Sequence, residues 1–152
     1  MPTIHPLVVR PSLPDSLAAT REALRRAHHL GPEEVLFFSV SPRTLDHAAF
    51  SAEALAEMVF DAGLRPEQIC LEITERSLVA SPEHSCRILS RIREMGVKIA
   101  IDDFGTGYSC LAYFRNIPAD ELKIDKSFVS GLLDDPACVE LTSVIIDLAH
   151  RF

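Results

Sequence analysis

Residues able to do metal or proton chemistry fall in three short clusters: Glu72 with Glu75, Asp102 with Asp103, and Lys123 with Asp125. Carboxylates are hard oxygen donors. Gathered together they repel unless a cation lies between them, and such a set suits Mg²⁺ or Mn²⁺. A lysine beside them can neutralise a phosphate or orient a water acidified by the metal. Each cluster alone is a weak signal. An Asp-Asp pair is more often a solvated turn than a ligand pair. The stretch Phe104-Gly105-Thr106-Gly107-Tyr108 marks, by itself, only a glycine-rich turn. What gives the clusters weight is the elements that precede them.

Each cluster follows a short apolar run that reads as a strand. Residues 68–74 are the first such run, 97–101 the second and 121–124 the third, and a fourth, 35–40, lies upstream and ends in Ser39 and Val40. These runs are short, rich in branched and aromatic residues, and bounded by turn formers. Between them lie helical patterns. One spans 16–29 and stops at Gly31-Pro32. Another runs from Ser51 to Ala62 and is closed by Gly63. A third opens at Ser81-Pro82 and ends near Met95, before Gly96. The last begins at Asp135-Pro136 and is expected to run to the end of the sequence. A short helix is also expected after the glycine-rich turn. Residues 1–15 are broken by Pro2, Pro6, Pro11 and Pro14 and read as an irregular lead-in. Strands alternating with helix-length spacers imply a parallel sheet with crossover helices, an α/β fold. In such folds the carboxyl ends of the strands carry the ligand site, and the acidic clusters are placed there.

Composition sets bounds on partners. With 22 acidic against 15 basic side chains the formal charge is −7. That argues against DNA or RNA binding, which needs clustered Lys and Arg to displace counterions. No apolar run reaches the roughly 20 residues of a membrane span, and the first residues lack the pattern of a signal peptide. Cys70, Cys86, Cys110 and Cys138 form no C-x-x-C pair. They read as reduced thiols in a cytoplasmic protein rather than as zinc ligands.

The same residues resemble a known family. Leu71-Glu72-Ile73-Thr74-Glu75 is similar to the E-[LI]-T-E motif of EAL domains. Residues 101–109, Ile-Asp-Asp-Phe-Gly-Thr-Gly-Tyr-Ser, match their D-D-F-G-T-G-Y-S loop, and residues 122–128 match L-K-I-D-[RK]-[ST]-F. The segment 40–45 resembles the one after the family's third strand. The resemblance covers residues 31 to 152 and implies a partial TIM-type (β/α)8 barrel made of about strands three to six. It implies cyclic di-GMP as the small-molecule partner, cleaved to linear pGpG with two divalent metals. By resemblance Glu72, Asp102 and Asp103 are metal ligands, with Asp102 bridging. Lys123 contacts the attacking water. Glu75 pins the loop containing Phe104, Gly105, Thr106, Gly107 and Tyr108, which is tied to homodimer formation.

Three departures set the expectation for activity. The family's third strand carries an asparagine ligand, and here that position is Ser39; the only asparagine is Asn116. The A-E-G-V-E segment, with a further metal-binding glutamate, is not among the 152 residues, nor is the eighth strand. The literal triplet Glu22-Ala23-Leu24 lies 17 positions before Ser39 inside a helical pattern, so it reads as a coincidence rather than the first strand. Residues 16–152 are thus expected to form a partial EAL domain with an incomplete two-metal site. Hydrolysis by this chain alone is expected to be impaired. The alternative is a non-catalytic EAL remnant that binds nucleotide or serves as a dimerisation module.

Overall fold

The computed structural model describes residues 16–106 and 116–150. Residues 1–15, and Gly107, Tyr108 and the short helix expected after them, lie outside the described residues. Helix α1 (Ser16–Arg26) leads into strand β1 (Leu36–Ser39), and short α2 (Pro42–Leu45) and α3 (Ala52–Asp61) precede β2 (Ile69–Thr74). Then come α4 (Glu75–Ala80), α5 (Pro82–Glu94), β3 (Lys98–Phe104), β4 (Glu121–Ile124), α6 (Lys126–Ser130) and α7 (Pro136–Ala149). The four strands form one parallel sheet in the order β1-β2-β3-β4.

Local chemistry explains the boundaries. Ser51 caps α3 by accepting a hydrogen bond from the Ala54 amide at 3.1 Å. Gly63, at φ 70°, provides the left-handed turn that ends it. Asp135 caps α7 through the Ala137 amide at 2.9 Å, with Pro136 in the first turn where no backbone donor is needed. Ser81 and Pro82 do open α5, but the serine side chain makes no capping bond.

Several boundaries differ from those read in the sequence. α1 ends at Arg26 rather than His29, the last residues forming a turn. β3 continues through Phe104, so Asp102 and Asp103 lie within the strand rather than after it. Glu75 is the first residue of α4, not the last of β2. α7 stops at Ala149, with His150 as its C-cap. The short helices α2, α4 and α6 carry too few residues to show a 3.6-residue apolar period.

Alternation along the strands divides the sheet into two faces. Leu36, Phe38, Ile69, Leu71, Ile73, Ile99 and Ile101 point to the helices and form the main core with Leu24, Leu55, Leu89 and Ile92. On the opposite face Phe37, Cys70 and Ala100 form a smaller apolar cluster. Parallel register aligns Ser39 with Glu72, Glu72 with Ala100, and Ala100 with Glu121. One row nearer the carboxyl ends, Thr74 pairs with Asp102. The Glu22-Ala23-Leu24 triplet is helical, with Leu24 in the core and Glu22 outside against Arg26.

Candidate active site at the carboxyl ends of the strands

On the face opposite the helices, β1, β2, β3 and β4 bring Ser39, Glu72, Asp102 and Lys123 together. Glu72 is 2% exposed, and both its oxygens are engaged. The Ser39 hydroxyl donates to Oε2 at 3.1 Å, and the Lys123 ammonium donates to Oε1 at 2.5 Å. Lys123 also lies 3.6 Å from Asp102 Oδ1, so one ammonium bridges carboxylates from two neighbouring strands. Partial burial works against the lysine charge, but the hydrogen bond and field of Glu72, with Asp102 behind them, prevail and hold its pKa above the ordinary value.

Ser39 therefore orients Glu72. Its hydroxyl is shorter than the amide expected at a ligand position and is already committed to Oε2. Glu75 is buried at the start of α4, and its Oε2 accepts the Gly105 amide at 3.2 Å. That bond ties the turn after β3 to the end of β2. Gly105 has φ 97°, and a Cβ there would stand 2.9 Å from Phe128 Cε2 and 3.1 Å from Ile145 Cδ1. Glycine is thus required both by conformation and by the close approach of α6 and α7. Asp103 points outward at φ 55°, a left-handed conformation uncommon outside glycine. Thr106 donates its hydroxyl to the Asp103 carbonyl at 2.9 Å and fixes this bend. Phe104 turns back into the core.

Asp125, grouped with Lys123 in the sequence, has a separate task. It caps α6, accepting from the Ser127 amide at 2.8 Å and hydroxyl at 2.5 Å, and these bonds lower its pKa. No motif or spacing points to Asp120. Its carboxylate accepts from the Ile99 amide and from Arg93, both at 2.9 Å, and holds the entry of β4 against β3. Nor was there a cue to a cleft of about 530 Å³ lined by Pro42, Thr74, Glu75, Arg76, Asp103 and Thr106. It sits where the chain leaves β1, β2 and β3. Only pairing these strands brings such distant residues to one wall.

Glu72, Asp102 and Asp103 are hard oxygen donors on adjacent strands, the chemistry a divalent cation requires. The position of the Lys123 ammonium between two of them shows that the site already attracts a cation. The donor types fit a divalent cation, with Glu72 and Asp102 facing one charge and Asp103 turned outward. Among the described residues no three acidic, histidine or cysteine side chains converge tightly enough to cage a metal unaided.

A parallel α/β segment with an acidic, lysine-bridged site at its strand ends is of the barrel class in which the loops after the strands carry the site. The chain is a member of the EAL domain family, whose model matches residues 11–152. It is 50% identical over 80 residues to the probable cyclic di-GMP phosphodiesterase PdeB of Escherichia coli, over 53% of this chain and 15% of PdeB. The EAL domain of Mycobacterium smegmatis DcpA matches with a TM-score of 0.79 and 36% identity, over 91% of this chain and 64% of that one. Klebsiella pneumoniae BlrP1 in its manganese and cyclic di-GMP complex at pH 6 matches with a TM-score of 0.80 and 26% identity, over 89% and 35% of the two chains. The chain spans 17% and 20% of the length of the first curated relatives it matches. No helix among the described residues is long and apolar enough to cross a membrane.

Proposed function

We propose that this chain presents the metal- and nucleotide-facing part of an EAL phosphodiesterase site, binds cyclic di-GMP, and turns it over slowly. The observation that carries this reading is the Glu72–Lys123–Asp102 bridge across three parallel strands. Glu72, Asp102 and Asp103 would hold Mg²⁺ or Mn²⁺, and the cation would acidify water and offset charge on the phosphodiester. Lys123 stays protonated, because its carboxylate partners favour the ammonium. It can therefore donate a hydrogen bond to the attacking water or a phosphoryl oxygen but takes no proton at neutral pH. Ser39 keeps Glu72 aimed toward Lys123. Glu75 holds Gly105, and through it the turn that carries Asp103.

The reduced rate follows from Ser39. A hydroxyl bound to Glu72 replaces a longer amide donor, leaving fewer oxygens for the cation. The same observation favours the second reading, nucleotide binding without turnover. Leu141 and Val144, three residues apart on α7, are exposed and form apolar surface suited to self-association. We place the protein in the cytoplasm, in keeping with free Cys70, Cys86 and Cys138.

The test is incubation with cyclic di-GMP and Mn²⁺, with chromatographic separation of products, beside Asp102→Ala. The expected result is a small yield of linear pGpG from wild type and none from the variant, whereas no product from a folded wild type would favour the second reading. Rapid hydrolysis abolished by Asp102→Ala would uphold the substrate and overturn the slow-turnover reading.

A further inference from the structure

The cleft beside the carboxylates poses an electrostatic problem for its proposed ligand. Cyclic di-GMP has two phosphodiester groups, each anionic. One can be neutralised where Glu72, Asp102 and Asp103 would hold a cation. The other needs a second positive group, since it must lie near a wall that already contains Glu75 and Asp103. Among the lining residues Arg76 is the single cation. It is exposed, and no ion pair or hydrogen bond engages its side chain among the described residues. Three other arginines are engaged, Arg93 on Asp120, Arg91 on Glu53 and Arg65 on the Pro32 carbonyl, and Arg43 of α2 is exposed but does not line the cleft.

Arg76 directly follows Glu75, whose carboxylate is tied to Gly105. Its backbone is therefore fixed at the cleft wall while its side chain remains free. A guanidinium in that state can form a paired hydrogen bond to a phosphate, or to the O6 and N7 edge of guanine, without first breaking an existing contact.

We propose that Arg76 recognises the second phosphate of the dinucleotide, the one not held at the carboxylate site, and so selects a cyclic dinucleotide over a single nucleotide. This rests on the cyclic di-GMP reading above. Arg76 would act in binding, as a specificity residue, and the chemistry would stay with Lys123 and the carboxylates.

The experiment is calorimetric binding of cyclic di-GMP and of GMP to the full chain in Ca²⁺, with wild type, Arg76→Ala, Arg76→Lys and Arg87→Ala. Arg87 is an exposed arginine on α5 outside the cleft lining and serves as the charge-matched control. Thermal melts check that the variants fold, as removal of an exposed, unpaired side chain should permit. Loss of the guanidinium is expected to weaken cyclic di-GMP binding by about tenfold. The lysine variant should recover part of the loss, and Arg87→Ala should bind like wild type. Added salt should weaken the wild type more than Arg76→Ala, and GMP affinity should be the same in both. Equal cyclic di-GMP affinities in wild type and Arg76→Ala would overturn the inference and leave the proposed function standing. Absence of binding in the wild type would overturn both.

Discussion

Replacing Lys123 by methionine keeps the aliphatic stem and removes the charge that compensates Glu72. The cost follows from the two exposures. Glu72 is 2% exposed, whereas the lysine side chain is 39% exposed. Breaking a fully buried ion pair costs about 3–5 kcal/mol, and breaking a surface pair about 0–1 kcal/mol. A pair with one buried and one half-exposed member lies between, so Lys123→Met is expected to destabilise by about 2 kcal/mol. Glu72→Gln removes the other charge, and the double variant should recover much of the loss. The assay is urea unfolding of all four proteins, read as a double-mutant cycle. A coupling of about 1–2 kcal/mol is expected. A coupling below about 0.3 kcal/mol would show that the bridge does not hold the site together. The pH dependence gives a second reading. The folded lysine pKa lies above the ordinary 10.5, so its contribution is complete below that value and is lost as pH rises through the folded pKa. Wild type and Lys123→Met should therefore converge in stability on the alkaline side. A constant gap from pH 9 to beyond the folded pKa would contradict the assignment.

Gly105→Ala forces a Cβ against Phe128 and Ile145 at a positive φ, and should lower stability by about 1–3 kcal/mol in urea unfolding; an unchanged midpoint would refute that packing. Glu75→Gln keeps an acceptor for the Gly105 amide, whereas Glu75→Ala removes it; only the alanine variant should raise amide exchange at Gly105. Ser39→Asn adds an amide oxygen at the strand end and should tighten Mn²⁺ binding measured by calorimetry, while an unchanged affinity would count against Ser39 as the weak point of the site. The Cys70 thiol, pushed up to about 12 chiefly by burial, should resist iodoacetamide at pH 8 while Cys86 and Cys138 react; peptide mapping before and after unfolding checks this.

The order of strands and helices was legible because each strand is a compact apolar run and each long helix carries a start or stop residue. Ser51, Gly63 and Pro136 are examples. Of the candidate site, the sequence pointed to residues that the fold brings together, Glu72, Asp102 and Lys123, but not to their contacts. Sequence spacing placed Asp125 beside Lys123, yet Asp125 turns to cap α6 while Lys123 crosses to Glu72. That choice is made where β4 ends: the strand stops at Ile124, so Asp125, which alternation alone would leave on the face of Lys123, becomes the N-cap of α6. The same applies to Ser39. Its replacement of an asparagine was visible, but its bond to Glu72 needed the register of β1 on β2. Asp120 and the cleft that Arg76 lines were missed because each is assembled from elements far apart in the chain.

The most direct test of the account is equilibrium binding of cyclic di-GMP to the chain with and without Mn²⁺, compared with Asp102→Ala. The account predicts saturable binding that requires the cation and is lost in the variant. Binding that survives both chelation and the substitution, or no binding by a folded wild type, would contradict it.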